Sequence, residues 1–197
     1  MNETMEQTKL STTYKLLRKL GFNYPAEDYG DITLHKMVSQ FFTNIRNRRL
    51  CNKMNSAILE PFNPRKLRAR YLRKLGATVG NNVFIGEYVR VDLNHADLIT
   101  IEDGVHIAAD VRLLCHKKDL SKYQVGDVYG QQPYKYGKIH LCKNCAVGTG
   151  SLVMPDVTIG EGAVVGAGSL VTKDIPAWTI AVGRPARVVK EIPERKE

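Results

Sequence analysis

The sequence predicts a mainly β chain whose short strands coil around a common axis, preceded by an α-helical segment. Three observations support this fold class. Before residue 76, apolar residues recur at three- and four-residue spacing. From Gly76 onward, aliphatic residues recur at every sixth position, and glycine commonly follows them. A hydrophobic period that changes from 3.6 to 6 indicates helices first and a repeat architecture after them.

Three helices are predicted before Gly76. Residues 32–52 place apolar side chains on one face and basic side chains on the other face and at the end. A shorter helix is expected over residues 12–20. After the prolines at 61 and 64, the run NPRKLRARYLRKLGA predicts a further helix that ends at Gly76. Its apolar face consists of Leu67, Tyr71, Leu72 and Leu75.

The repeats place two side chains of every six toward the axis. The first inward position is aliphatic, and the second, four residues later, is small or aliphatic, from Val83 to Ile175. Three strands of this kind close one coil of 18 residues, so twelve aliphatic positions predict about four coils. These positions are Val79, Ile85, Val91, Ile101, Ile107, Leu113, Leu141, Val147, Val153, Ile159, Val165 and Val171.

Two interruptions and two flanks complete the predicted organisation. Four residues are inserted before Ile101, and a loop over residues 115–138 protrudes between Leu113 and Leu141. We expect residues 1–75 to form a basic helical segment that caps the coils. Residues 76–176 form the coils themselves, and residues 177–197 form a C-terminal tail.

The charge of the chain lies in its first third. The net charge is +9, and residues 1–74 carry 15 lysines and arginines against 6 acids, which leaves the remainder neutral. No motif for stacking on bases or reading a groove accompanies this charge, so nucleic acid is not an expected partner. A basic helix with an apolar face is expected to pack as a cap or against a neighbouring subunit, and peripheral contact with an anionic membrane is the alternative.

The remaining composition indicates a cytoplasmic address. No apolar run reaches the ~18 residues of a membrane helix, and the opening residues do not resemble a signal peptide. The four cysteines are therefore expected to be thiols rather than disulfides.

The repeats and the run VVGAGSLVTKDIPAWTIAVGRPARVVKEI resemble the hexapeptide-repeat acyltransferases, which are left-handed parallel β-helices. Within that family, residues 64–192 are most similar to sugar O-acetyltransferases of the galactoside, maltose and polysaccharide-modifying branches. The resemblance implies acetyl-CoA as cosubstrate, no metal, and a homotrimer with CoA between neighbouring subunits. Residues 1–60 lack the motif typical of the maltose branch, so the acceptor does not follow from it.

Acetyl transfer to a hydroxyl requires a general base, and the resemblance assigns this role to His116. Histidine suits the role because its pKa lies near neutrality. The family often has a second histidine shortly after this one, whereas Lys117, Lys118 and Asp119 stand here, so nothing in the sequence explains how the imidazole is oriented. His95, in the four-residue insertion, is the second choice for the base. His106 and His140 fall on outward positions, and His35 lies on the basic helix.

The resemblance also implies binding residues for both substrates. Asp92, Asn94 and His95, in and beside the four-residue insertion, are expected to bind the sugar acceptor. The tyrosine-rich loop over residues 117–137 either covers that acceptor or packs on a neighbouring subunit. The residues expected to contact CoA are Thr149, Gly150, Ala167, Gly168, Thr172, Lys173, Arg184 and Arg187, with the two arginines as candidates for its phosphates.

Four alternatives remain open on the sequence. In the same fold, the acceptor could be the amine of an amino-sugar nucleotide. His95, His106 and His116 could bind zinc, as in carbonic anhydrases of this architecture. Cys142 and Cys145 have zinc-site spacing, with Cys115 and His116 as possible partners. A scaffold that has lost its activity is the last alternative.

Overall fold

The computed structural model describes residues 10–22, 24–56 and 64–195. They fall into two compact units. One contains the described residues up to 45 together with 117–135, and the other contains residues 46–116 and 136–195. The change of composition at residue 75 does not coincide with this division, because the helix that precedes Gly76 belongs to the same unit as the strands.

The first unit contains two short helices and most of the loop. Helix α1 (Thr12–Lys19) begins after Ser11, whose hydroxyl accepts a hydrogen bond from the Tyr14 amide at 3.0 Å. Tyr14 is buried, and its hydroxyl donates to the Tyr24 carbonyl at 2.8 Å. Helix α2 covers Ala26–Tyr29, and a 3-10 turn in the loop covers Tyr129–Gln131. The predicted helix at 12–20 is thus present.

Two longer helices follow. Helix α3 (Leu34–Met54) matches the predicted helix at 32–52, and helix α4 (Pro64–Leu75) ends before Gly76, whose φ is +114°. In α4, Leu72 and Leu75 are buried as expected. In α3 the outcome differs, because the apolar side chains Leu34, Val38, Phe41 and Phe42 are exposed. A 3.6-residue period reveals an apolar face but does not reveal what covers it.

Sixteen short strands follow α4 among the described residues. They are β1 (Thr78–Val79), β2 (Phe84–Ile85), β3 (Arg90–Val91), β4 (Ile99–Ile101), β5 (His106–Ile107), β6 (Arg112–Leu113), β7 (His116–Lys118), β8 (Tyr134–Tyr136), β9 (Ile139–Leu141), β10 (Ala146–Val147), β11 (Leu152–Val153), β12 (Val157–Ile159), β13 (Val164–Val165), β14 (Leu170–Val171), β15 (Thr179–Gly183) and β16 (Ala186–Glu191).

Fourteen of these strands form three sheets. Sheet A has the order β1-β4-β9-β12, sheet B the order β2-β5-β10-β13-β15-β16, and sheet C the order β3-β6-β11-β14. All pairs are parallel except β15 with β16. In sheet A, Ile101 pairs with Leu141, and Leu141 pairs with Ile159. The chain therefore visits sheets A, B and C in turn, and equivalent repeat positions lie side by side.

The interior confirms the repeat prediction. Each of the twelve predicted aliphatic positions is at most 9% exposed, and the second inward positions from Val83 to Ile175 are at most 6% exposed. The chain is thus mainly β, with parallel sheets around one apolar core. The predicted tail forms the hairpin β15–β16, which extends sheet B. No described helix has the length and hydropathy that a membrane crossing requires.

Candidate active site

The insertion after β3 places Asp92 at the end of sheet C. Residues 92–98 follow Val91, the last residue of β3, and end in a 3-10 turn at Ala96–Leu98. Ala96 is buried in the core. Asn47 of α3, itself buried, donates a hydrogen bond from Nδ2 to the Leu93 carbonyl at 2.7 Å. The insertion is thus fixed from both sides, and the Asp92 side chain is only 8% exposed.

Two histidines share the Asp92 carboxylate. His116 follows Cys115 at the start of β7, and its Nδ1 hydrogen-bonds Asp92 Oδ2. His95 Nδ1 lies 3.2 Å from Asp92 Oδ1. An ionised carboxylate only accepts hydrogen bonds, so Nδ1 carries the proton in both rings. The lone pair of each neutral imidazole then resides on Nε2, which is the atom a general base uses.

Tyr136 completes an aromatic group around this carboxylate. Its strand β8 ends beside the start of β7, where the Gly137 amide donates to the Cys115 carbonyl at 2.9 Å. The Tyr136 ring lies 4.4 Å from the His95 ring and 6.4 Å from the His116 ring, centroid to centroid. All three rings are partly exposed, at 35–39%. Asn94, also exposed, lies in the turn before His95.

The other loop tyrosines lie in the first compact unit. Lys118 Nζ lies 3.8 Å from the centroid of the Tyr134 ring, and the Tyr134 amide donates to the Asp28 carboxylate at 3.3 Å. Tyr123 and Tyr129 form an edge-to-face pair at 6.3 Å. Of the tyrosines expected to cover an acceptor, Tyr136 is therefore the one that belongs to the unit of the histidines.

The cysteine beside His116 is a poor nucleophile. Cys115 is fully buried, and burial, reinforced by the charges of Asp92 and Asp97, raises its pKa to about 12. A thiol with this pKa stays protonated at neutral pH. Among the groups around the Asp92 carboxylate, proton transfer through a histidine is thus favoured over covalent catalysis by this thiol.

Four of the eight expected CoA residues lie at one corner of the stacked strands. Thr149 and Gly150 lie between sheets B and C, and the next coil places Ala167 and Gly168 beside them, with the Gly168 amide donating to the Thr149 carbonyl at 2.8 Å. Gly150 and Gly168 have φ values of +70° and +69°, and a Cβ on either would meet open space. The left-handed backbone conformation therefore explains why glycine stands at both positions. Without side chains, the main chain at this corner is exposed.

The tail contributes one cation to the same corner. Arg184 Nη1 lies 3.5 Å from the Gly168 carbonyl. Ser169 holds the tail there, because its hydroxyl donates to the Gly166 carbonyl at 2.7 Å and accepts from the Gly183 amide at 3.2 Å. The buried Ser169, at a second inward position, thus links the turn at Gly166 to the tail at Gly183.

The remaining expected CoA residues lie elsewhere. Thr172 and Lys173 directly follow β14, at the corner of sheet C from which the insertion after β3 and the loop after β6 also depart. Arg187 lies in β16, paired with Val182. All three side chains are exposed. The structure therefore divides the eight expected CoA residues between two corners and the hairpin.

The zinc alternatives are not assembled as the spacing suggested. In the described part of the chain, two groups of three have donor atoms within 4.8 Å of one another: Asp92 with His95 and His116, and Glu102 with His140 and Cys142. Neither group contains His106, which stacks on Phe84 at 4.3 Å, and neither contains Cys115 or Cys145. The three-histidine and two-cysteine sets are thus not brought together.

The repeat segment also matches a known family. Residues 138–173 match the family described as bacterial transferase hexapeptide, six repeats. Over this segment the chain is similar to the hexapeptide-repeat transferases. The predicted resemblance is thereby confirmed.

Three relatives of this family illustrate the similarity. The chain is 37% identical over 122 residues to a galactoside O-acetyltransferase of Escherichia coli K12, a match that covers 59% of this chain and 57% of that protein. A maltose O-acetyltransferase from Clostridium difficile 630 has a TM-score of 0.54 at 26% identity, over 76% of this chain and 86% of the other. A galactoside acetyltransferase in complex with coenzyme A has a TM-score of 0.56 at 26% identity, over 77% and 81%. The chain spans about half the length of the curated relatives it matches.

Sequence reasoning missed one residue of the site, Asn47, and one contact within it, that of Asp92 with His116. Asn47 lies 46 residues before Leu93, and a polar side chain on a helix offers no signal of that contact in the sequence. The role of Asp92 beside His116 was also missed, although the absent second histidine after His116 showed that some other group had to orient the ring. A carboxylate in an insertion next to the predicted base was the available signal.

Proposed function

We propose that this protein is an acetyl-CoA-dependent O-acetyltransferase that transfers the acetyl group to a hydroxyl of a sugar or glycan. The observation that carries the proposal is the Asp92–His116 pair, which lies where a loop interrupts the repeats of a hexapeptide-repeat transferase. The relatives named as sugar O-acetyltransferases support the same chemistry. Transfer is direct, without an acetylated enzyme.

His116 serves as the general base. Asp92 holds its Nδ1 proton, so that Nε2 accepts the proton of the acceptor hydroxyl as the oxygen attacks the thioester carbonyl. The carbon–sulfur bond then breaks, and the departing CoA sulfur takes the proton from Nε2. Asp92 remains ionised and stabilises the transient imidazolium. The sequence analysis expected Asp92 to bind the acceptor. We assign it instead to positioning the base.

The acceptor lies on the side of His95, Asn94 and Tyr136. A pyranose offers hydroxyls around its rim and an apolar C–H face, which suits the exposed Asn94 amide, His95 Nε2 and the Tyr136 ring. Because the Tyr136 and His95 rings lie 4.4 Å apart, they offer one aromatic surface next to His116.

The uncovered main chain at Thr149, Gly150, Ala167 and Gly168 receives the pantetheine arm of CoA. A Cβ would project outward at both glycines, and its absence lets an amide-rich arm approach the backbone. Arg184, next to the Gly168 carbonyl, supplies a cation for the phosphates, and Arg187, Thr172 and Lys173 act further along the cosubstrate. Thr149 donates to the oxyanion of the tetrahedral intermediate.

The assembly follows the same proposal. The strands form a left-handed β-helix of about four coils, and three copies associate with CoA between them. A trimer accounts for the division of the expected CoA residues between two corners, since a groove between copies places different corners in contact with one cosubstrate. Sedimentation equilibrium should give three times the 22.1 kDa chain mass, and a monomer that retains full activity would contradict the assembly.

The protein is cytoplasmic and contacts an anionic membrane through α3. Phe41 and Phe42 are 59% and 64% exposed, and the same helix carries the exposed Arg48 and Arg49. Replacing both phenylalanines by serine should abolish flotation with vesicles containing phosphatidylserine, whereas Val125→Ser, at an exposed loop position, should not. Equal flotation of both variants would refute the contact.

An acceptor screen tests the activity. The full chain is incubated with acetyl-CoA and a panel of sugars, oligosaccharides, amino-sugar nucleotides and alcohols, and the products are characterised by NMR. We expect acetyl esters on sugar hydroxyls. Acetyl amides on amino sugars alone would replace the proposal by N-acetylation, and no product from any acceptor would contradict it.

A further inference from the structure

Three metal-ligating side chains meet on the outward face of sheet A, outside the candidate active site. Ile101 pairs with Leu141, and both point inward, so the next residues, Glu102 and Cys142, lie side by side and face outward. His140 precedes Cys142 by two residues and shares its face.

The side chains of this group already converge. Glu102 Oε1 lies 2.7 Å from His140 Nε2, and Glu102 Oε2 accepts a hydrogen bond from the Lys143 amide at 2.9 Å. One donor atom from each of Glu102, His140 and Cys142 lies within 4.8 Å of the others. Both carboxylate oxygens are thus oriented, one of them by the main chain.

We propose that Glu102, His140 and Cys142 form a binding site for one Zn²⁺ ion. The donor set is one thiolate, one imidazole and one carboxylate, which favours zinc or cobalt over the hard cations Mg²⁺ and Ca²⁺. Three protein ligands leave the fourth tetrahedral position to a water molecule. All three side chains are only partly buried, so the ion reaches them from solvent.

The geometry requires little movement. Zinc bonds of ~2.0–2.3 Å in a tetrahedron place donor atoms roughly 3.3–3.8 Å apart, so the contact between Glu102 and His140 opens by about 0.6 Å. Hydrogen bonds hold the main chain on both sides, where the Glu102 amide donates to Leu141 and the Cys142 amide donates to Ile159, so the adjustment falls to the side chains.

Each proton displaced when the ion binds has an acceptor. On binding, the Cys142 thiol loses its proton to the buffer and becomes the sulfur ligand. The His140 proton moves from Nε2 to Nδ1 through solvent, so the ring stays neutral. The ion thereby links two neighbouring strands, β4 and β9, through side chains that face solvent.

Cobalt titration of the full chain tests the site, since a thiolate ligand gives Co²⁺ a charge-transfer absorption in the near ultraviolet. The protein is stripped with a chelator, kept reduced with a phosphine, and titrated with Co²⁺ and then Zn²⁺. We expect this absorption to saturate at one equivalent per chain and to disappear when Zn²⁺ displaces Co²⁺. The group at Asp92 contains no thiol and therefore cannot produce the signal.

Variants locate the signal. Cys142→Ser should remove the absorption, and Glu102→Gln and His140→Gln should each weaken Co²⁺ binding at least ~10-fold. Cys51→Ser, a change at another partly buried thiol, is the matched control and should leave the absorption unchanged. Circular dichroism confirms that each variant is folded. Absence of the absorption in the wild type, or its persistence in Cys142→Ser, would overturn the proposal whether or not the protein transfers acetyl groups.

Discussion

Replacing Asp92 by asparagine tests how the base is positioned. The carboxylate accepts hydrogen bonds from His95 and His116 through different oxygens. Asparagine keeps the size but has one carbonyl oxygen, and its amide nitrogen donates instead of accepting. A ring that receives this N–H on Nδ1 must carry its own proton on Nε2, and a protonated Nε2 cannot accept the hydroxyl proton.

The expected loss follows from this tautomer change. General-base catalysis contributes ~10²–10⁴-fold, which corresponds to about 2.7–5.4 kcal/mol at 1.36 kcal/mol per tenfold. We therefore expect kcat of Asp92→Asn to fall by at least ~100-fold, while the KM for acetyl-CoA stays within about threefold. The rate is measured as CoA release with the best acceptor of the screen, after blank correction for the protein's own thiols.

A matched variant separates charge from position. Asp97→Asn removes a carboxylate from the same insertion, but that side chain is exposed and lies in the 3-10 turn. It should keep nearly full activity. If Asp92→Asn also kept a kcat within threefold of the wild type, the assignment of Asp92 as the positioning residue would be wrong.

Three further predictions concern the cosubstrate, the thiols and the core. Arg184→Ala should raise the KM for acetyl-CoA at least ~5-fold with little change in kcat, since a phosphate contact contributes to binding rather than to chemistry; an unchanged KM would exclude this arginine. At pH 8, iodoacetamide should modify Cys51 well before Cys115, whose pKa is raised to about 12 by burial, and peptide mapping reads the order. Ile107→Ala should lower Tm by ~4–20 °C, from a cost of about 2–5 kcal/mol for a fully buried side chain; a shift under 2 °C would contradict the proposed core.

The repeat architecture could be predicted because its signal is local. Each strand contributes an inward residue at a fixed offset, so Leu141, Val147 and Val153 reveal three sides of one coil within 13 residues. The burial of these positions then follows from the period alone. His116 could be proposed as the base from the sequence, since it stands where the period stops.

The environment of His116 could not be predicted in the same way. Asp92 lies 24 residues earlier, and its contact depends on how the insertion after β3 folds back against α3. Glu102 and Cys142 illustrate the same point, because 40 residues separate two positions that the register of β4 and β9 places side by side. A pattern within one strand does not predict such pairs. The pairing also depends on how many of the intervening residues form a loop rather than strands of the coils.

The apolar face of α3 shows a different limit. Its period correctly predicted a helix, yet Leu34, Phe41 and Phe42 on the predicted apolar face are exposed. An amphipathic pattern shows that a helix has an apolar face. It does not show which surface, if any, covers that face, because that surface is formed by residues outside the helix.

His116 is the proposed base for transfer of the acetyl group to a hydroxyl. The most direct test compares acetyl-ester formation by His116→Ala and by the wild type, together with calorimetric binding of CoA to both. We expect the variant to have a rate at least ~100-fold lower with a near-normal CoA Kd, because only the proton acceptor is lost. A variant that forms the ester at the wild-type rate would contradict this role.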